Sequence, residues 1–166
     1  MRLLLIGAGD RGLRLARLLT AEGHAVRVVT RDPGKHAAIA AAGAEPYDGD
    51  PDRIGTLRYA LDNVTVLVWA LGTATGPDPA GVAALHGTRL EMLLERTIDT
   101  TVRGVLYECS GPLPVELLSQ GAQIVERLCR RNEIPYGLLH HPPEDADGWA
   151  ASAADAVERL LSRPRA

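Results

Sequence analysis

Short aliphatic runs alternate with longer amphipathic stretches along the whole chain, the pattern of successive βα units in a parallel sheet. Residues 2–6 (RLLLI) form an almost unbroken apolar run, as a strand does when both faces of its sheet are covered. Residues 11–21 follow as a helix with Leu15, Leu18 and Leu19 on one face, and Gly23 ends it. Ala25–Thr30 reads as the second strand, and Pro33 opens a helix over 33–42 that stops at Gly43. A short strand over 44–47 leads through Asp50 and Pro51 into a helix over 53–61. The Val-rich run 64–71 is the fourth strand, followed by a Gly, Pro and Thr-rich loop over 72–81 and a helix over 84–98. A fifth strand over 102–109, a long helix Val115–Arg131, a sixth strand over 134–139 and a helix over 150–161 complete the pattern. Six strands joined by right-handed crossovers predict an α/β, three-layer, doubly wound sheet of order 3-2-1-4-5-6, with residues 1–166 as one domain.

Composition narrows the function classes. There is no Phe, so the core must be built from Leu, Val, Ile and Ala. A formal net charge of −3, with arginines scattered along the chain, argues against a nucleic-acid or anionic-membrane surface. No apolar run approaches bilayer length and no signal-peptide cleavage pattern is present, so a reducing, cytoplasmic setting is expected. Cys109 and Cys129 lie in apolar segments without disulfide or zinc spacing, and no metal site is expected.

The chemistry lies at Gly7-Ala8-Gly9-Asp10-Arg11-Gly12, a GxGxxG turn between the first strand and the first helix. Gly7 permits the turn, Gly9 lets a diphosphate approach the backbone, and Gly12 lets the helix pack close to the strand. The helix N-terminus then supplies amide donors and a positive dipole end. A glycine turn without a ligand is the bland alternative. At the end of the second strand an NAD site usually carries a carboxylate for the ribose 2′-hydroxyl. Here Thr30 stands there, followed by Arg31, with Lys35 close behind. That exchange favours NADP(H) over NAD(H), with Arg31 gripping the 2′-phosphate and Arg11 as a second cation. Arg31 as a solvated loop charge is the competing reading.

The segments IGAGDRG, GHAVRVVTRDP and GAEPYDGDP resemble the short-chain dehydrogenase/reductase superfamily, in its atypical, NmrA-like NAD(P)-binding Rossmann branch. The resemblance implies that Asp50 and Pro51 lie against the adenine, and that Ala70, Leu71, Gly72 and Thr73 lie along the nicotinamide side. It also implies a Tyr-xxx-Lys pair on the helix after the fifth strand, where this chain has Leu118 and Ala122. Neither side chain can transfer a proton, so any oxidoreductase activity needs a non-standard site.

Three residues are the catalytic candidates. Glu108 interrupts an apolar strand and must be paired or titrate abnormally if buried. Ser110 falls near the superfamily's active-site serine, and His140 closes the sixth strand on the ligand-binding edge. His140 and its neighbour His141 alternatively serve as capping or pairing residues. Trp149 and the Ala-rich last helix either close a sheet face or cover a homodimer contact. The sequence thus leaves two readings: an NADP(H)-dependent oxidoreductase, and a non-catalytic NADP(H)-binding redox sensor. A potassium-channel-type nucleotide-binding regulatory domain is more distant, because such domains carry an acid where Thr30 and Arg31 stand.

Overall fold

The alternation of aliphatic and amphipathic segments produces one six-stranded parallel sheet of order β3-β2-β1-β4-β5-β6. The computed structural model describes residues 1–7 and 9–162; Ala8 of the glycine turn and residues 163–166 lie outside the described residues. The strands are β1 Arg2–Gly7, β2 Ala25–Thr30, β3 Glu45–Asp48, β4 Val66–Ala70, β5 Gly104–Glu108 and β6 Tyr136–Leu139. The helices are α1 Gly9–Ala21, α2 His36–Ala41, α3 Pro79–Ala84, α4 Thr88–Thr97, α5 Val115–Arg131 and α6 Ala146–Ser162.

Side chains of successive strand residues point to opposite faces, so the central strands feed two cores. Leu3, Leu5, Val26, Val28, Val66 and Val68 pack beneath α1, α2 and α6. Leu4, Ile6, Val29, Leu67, Trp69 and Tyr107 pack beneath α4 and α5. Burying each Leu or Val contributes about 1.5–3 kcal/mol before chain entropy is counted, which is why β1 is apolar from Leu3 to Ile6 and β4 throughout. Trp149 is fully buried in the first of these cores, so it closes a sheet face.

Four expected elements differ. The helix expected over 33–42 opens as a 3₁₀ turn, Pro33–Lys35, and only His36–Ala41 is α-helical. The helix expected over 53–61 is two 3₁₀ turns, Ile54–Leu57 and Tyr59–Leu61. Ile54, Leu57 and Ala60 are buried at a spacing of three, the 3₁₀ period, and Thr56 Oγ1 donates to the Arg53 and Asp50 carbonyls. The helix expected over 84–98 is broken. Asp78 caps α3 through the Ala80 amide with Pro79 in the first turn, and the chain then turns at His86 and Gly87 before α4. The last helix begins at Ala146 rather than residue 150, since Asp145 Oδ1 accepts the Gly148 amide at 3.2 Å.

Candidate functional site

The glycine turn builds one end of a cleft. Gly7 ends β1 at φ +92°, pressed so closely on β4 that an added Cβ would collide with the Ala70 carbonyl oxygen. Gly9 opens α1 at φ +49°, and an added Cβ there would meet nothing within 4 Å among the described residues beyond its own helix. That open space fronts the first turn of α1, whose initial N–H groups have no intrahelical acceptor. A diphosphate fits this cradle: the space a side chain would take is vacant, and the donors and dipole favour an anion.

The cleft encloses about 740 Å³, within the range of organic-ligand sites. It lies beyond the carboxyl ends of β1, β2 and β4, where the strand order reverses. Of the residues singled out from sequence, Gly7, Gly9, Asp10, Thr30, Arg31, Pro51, Ala70, Leu71 and Thr73 line it. Arg11, Gly12, Asp50 and Gly72 do not. Gly12 is buried within α1, and Asp50 Oδ1 accepts the Asp52 amide at 2.9 Å to shape the turn that presents Pro51.

Arg11 requires a correction, because it is not a second cation for the ribose. Its Nη2 donates to both Glu108 carboxylate oxygens at 2.9 and 3.0 Å, and Nη1 donates to Thr73 Oγ1 at 3.2 Å. The guanidinium also lies over the Trp149 ring, 4.8 Å from its centroid. A buried carboxylate needs a partner more than a solvated phosphate site needs another charge, so Glu108 takes the arginine. Glu108 additionally accepts the Gly72 amide at 2.7 Å. The network ties the glycine turn, the end of β5 and the loop after β4 into one unit.

The other catalytic candidates are also engaged outside the cleft lining. Ser110 Oγ donates to the His141 carbonyl at 2.8 Å. His140 Nδ1 lies 3.1 Å from Cys109 Sγ, and burial, aided by the charge of Glu108, pushes that thiol up to about 11. His141 instead bonds Asp145 and Ser152. Among the described residues, no three His, Cys, Asp or Glu side chains stand close enough to share a metal ion. No described helix is long and apolar enough to cross a membrane.

Three contributors are not singled out by the sequence reading. Arg89, from the first turn of α4, lines the cleft. Asp52 lines it too and places a carboxylate 3.7 Å from Arg31, where none was expected. His86 is fully buried behind the cleft wall, with Nε2 donating to the Leu71 carbonyl at 2.9 Å and Nδ1 accepting from the Tyr107 hydroxyl at 2.6 Å. The Tyr107 ring passes so close to α5 that any side chain at position 121 would strike its hydroxyl, hence Gly121. The sequence signal for this pair is His86-Gly87 interrupting an otherwise helical stretch.

Burial lowers the His86 pKa below the ordinary 6.5, against a smaller opposing pull from the Leu71 carbonyl. The unfolded chain therefore binds a proton that the folded chain refuses, and stability present above 6.5 is lost as pH falls through the folded-state value. We expect the melting temperature to fall between about pH 7.5 and about pH 5.5, with a shallower fall in His86→Asn. Parallel slopes for the two proteins would contradict the assignment. Asp145, held below 3.8 mainly by its bond to His141, acts only in a more acidic window.

The profile of the NAD(P)H-binding family matches residues 7–110, from the glycine turn to just beyond β5. No curated protein matches the chain significantly. Among solved structures, a short-chain dehydrogenase/reductase superfamily protein from Agrobacterium tumefaciens with bound NAD superposes with a TM-score of 0.68 at 19% identity, covering 84% of this chain and 48% of its own. The Citrobacter sp. triphenylmethane reductase complexed with NADP(H) gives 0.63 at 20% identity, covering 85% of this chain and 49% of its own. An NADPH-dependent quinone oxidoreductase from Escherichia coli gives 0.58 at 20% identity, covering 84% of this chain and 46% of its own. The chain thus spans about half the length of these structures. With its glycine cradle at the strand-order reversal and this family match over most of its length, the chain belongs to the NAD(P)H-binding family and has the Rossmann fold.

Proposed function

We propose that this chain binds NADP(H) in preference to NAD(H), with the diphosphate on the α1 cradle and the 2′-phosphate beside Arg31. The observation that carries this reading is the end of β2. There Thr30 replaces the usual carboxylate, its hydroxyl is bonded within the turn to Asp32, and Arg31 and Lys35 both line the cleft. A charge-assisted bond from a guanidinium to a phosphate is stronger than one to a hydroxyl. Arg31→Ala should therefore weaken NADPH at least about tenfold more than NADH, read by nucleotide fluorescence titration. Equal losses for both nucleotides would refute the preference.

When bound, the nicotinamide supplies a hydride donor or acceptor; the residues of this chain position it. Ala70, Leu71 and Thr73 wall the cleft at the end of β4, and the Arg11–Glu108 pair holds Thr73 there. Glu108, Ser110 and His140 are occupied elsewhere, and Leu118 and Ala122 stand at the Tyr and Lys positions. These observations favour a binding protein whose occupancy follows the NADPH/NADP⁺ ratio. The oxidoreductase reading is supported by the named activities of the reductase and quinone oxidoreductase to which the fold is similar. Incubating the protein with NADPH and a panel of quinones and carbonyl compounds separates the two. Tight binding without NADPH oxidation supports the sensor, whereas turnover lost in His140→Ala or Ser110→Ala supports the enzyme.

A further inference from the structure

Arg31 shares its end of the cleft with a carboxylate. Asp52 follows β3 and brings Oδ2 to 3.7 Å from Arg31 Nη1, and both side chains line the cleft. The turn carrying Asp52 is fixed locally: Asp50 Oδ1 accepts the Asp52 amide at 2.9 Å, and Thr56 Oγ1 bonds the Asp50 amide at 2.8 Å. Among the described residues, Arg31 is the one cation within ion-pair distance of Asp52. The end of the cleft at the close of β2 thus holds two cations, Arg31 and Lys35, and one anion, Asp52.

We propose that Asp52 is a specificity-determining residue that limits how strongly the cleft favours NADP(H) over NAD(H). It holds Arg31 in an ion pair that a 2′-phosphate must displace, whereas a 2′-hydroxyl leaves the pair intact. This rests on the Arg31 reading above. Both side chains are partly solvated, so the pair by itself is weak, and its effect on affinity is a factor of a few. A carboxylate in the same end of the cleft also repels a doubly charged phosphate seated beside Arg31, and added salt screens that repulsion.

The test titrates Asp52→Asn, an isosteric change that removes only the charge, with NADPH and with NADH at low and high salt. NADPH should bind about threefold to fivefold tighter, while NADH stays within about twofold or weakens. The gain should shrink at high salt and be clearly smaller in the Arg31→Ala background, where only the direct repulsion is left to relieve. NADPH binding that is unchanged or weaker, or an equal gain for NADH, would overturn the role of Asp52 if Arg31→Ala alone still discriminates. Equal losses of both nucleotides in Arg31→Ala alone would overturn the Arg31 reading and this proposal with it.

Discussion

Gly9→Asp is expected to remove pyridine-nucleotide binding while leaving the fold standing. Gly9 holds φ +49°, a left-handed conformation that Asp tolerates better than most side chains. The new Cβ meets nothing within 4 Å among the described residues outside its own helix, so no described core contact is disturbed. An acidic group in the first turn of α1 is also favourable to the helix. Its carboxylate, however, occupies the space in front of the amides that the diphosphate needs, and repels it. We expect the dissociation constant for NADPH to rise at least about a hundredfold, the loss of one or two charge-assisted bonds. The melting temperature should fall by no more than about 5 °C, the cost of one strained residue. Gly9→Asn, with the same shape and no charge, should bind better than Gly9→Asp. If Gly9→Asp binds NADPH as the parent does, the nucleotide is not held at the turn.

Glu108→Ala should produce the largest loss of stability. Glu108 is buried with no side-chain exposure, and it balances an Arg11 guanidinium that is only 12% exposed. Removing it strands that charge inside the protein and leaves the buried Gly72 amide without its acceptor. Breaking one side of such a pair costs about 3–5 kcal/mol, or about 10 °C in melting temperature for a chain of this size. Glu108→Gln keeps an acceptor for Gly72 and should lose less. In Glu108→Ala with Arg11→Leu, the stranded charge is gone, so part of the loss should be recovered. Additive losses in a thermal-melt double-mutant cycle would mean the two residues do not form a unit.

Local patterns and long-range contacts divide what a reader of the sequence can find. The strands and α1 follow from local regularity, because β1 and β4 must be apolar on both faces and Leu15 and Leu19 recur at helical spacing. The glycine turn is readable for the same reason: its requirement is backbone space at fixed offsets. Arg11 is misleading because its partner is 97 residues away on β5, and no local rule tells a phosphate-binding arginine from one that neutralises a buried carboxylate. Asp52 escapes notice because it meets Arg31 only when β3 pairs beside β2. His86 breaks a helix that periodicity alone would continue, through bonds to Tyr107 on β5 and the carbonyl of Leu71 after β4.

The nucleotide's location is the claim on which the functional account depends, and a crystal structure with NADP⁺ tests it most directly. Diphosphate oxygens are expected about 3 Å from the backbone amide at Gly9, with the 2′-phosphate against Arg31. Saturating nucleotide absent from that cradle, or seated with its diphosphate elsewhere on the protein, would contradict it.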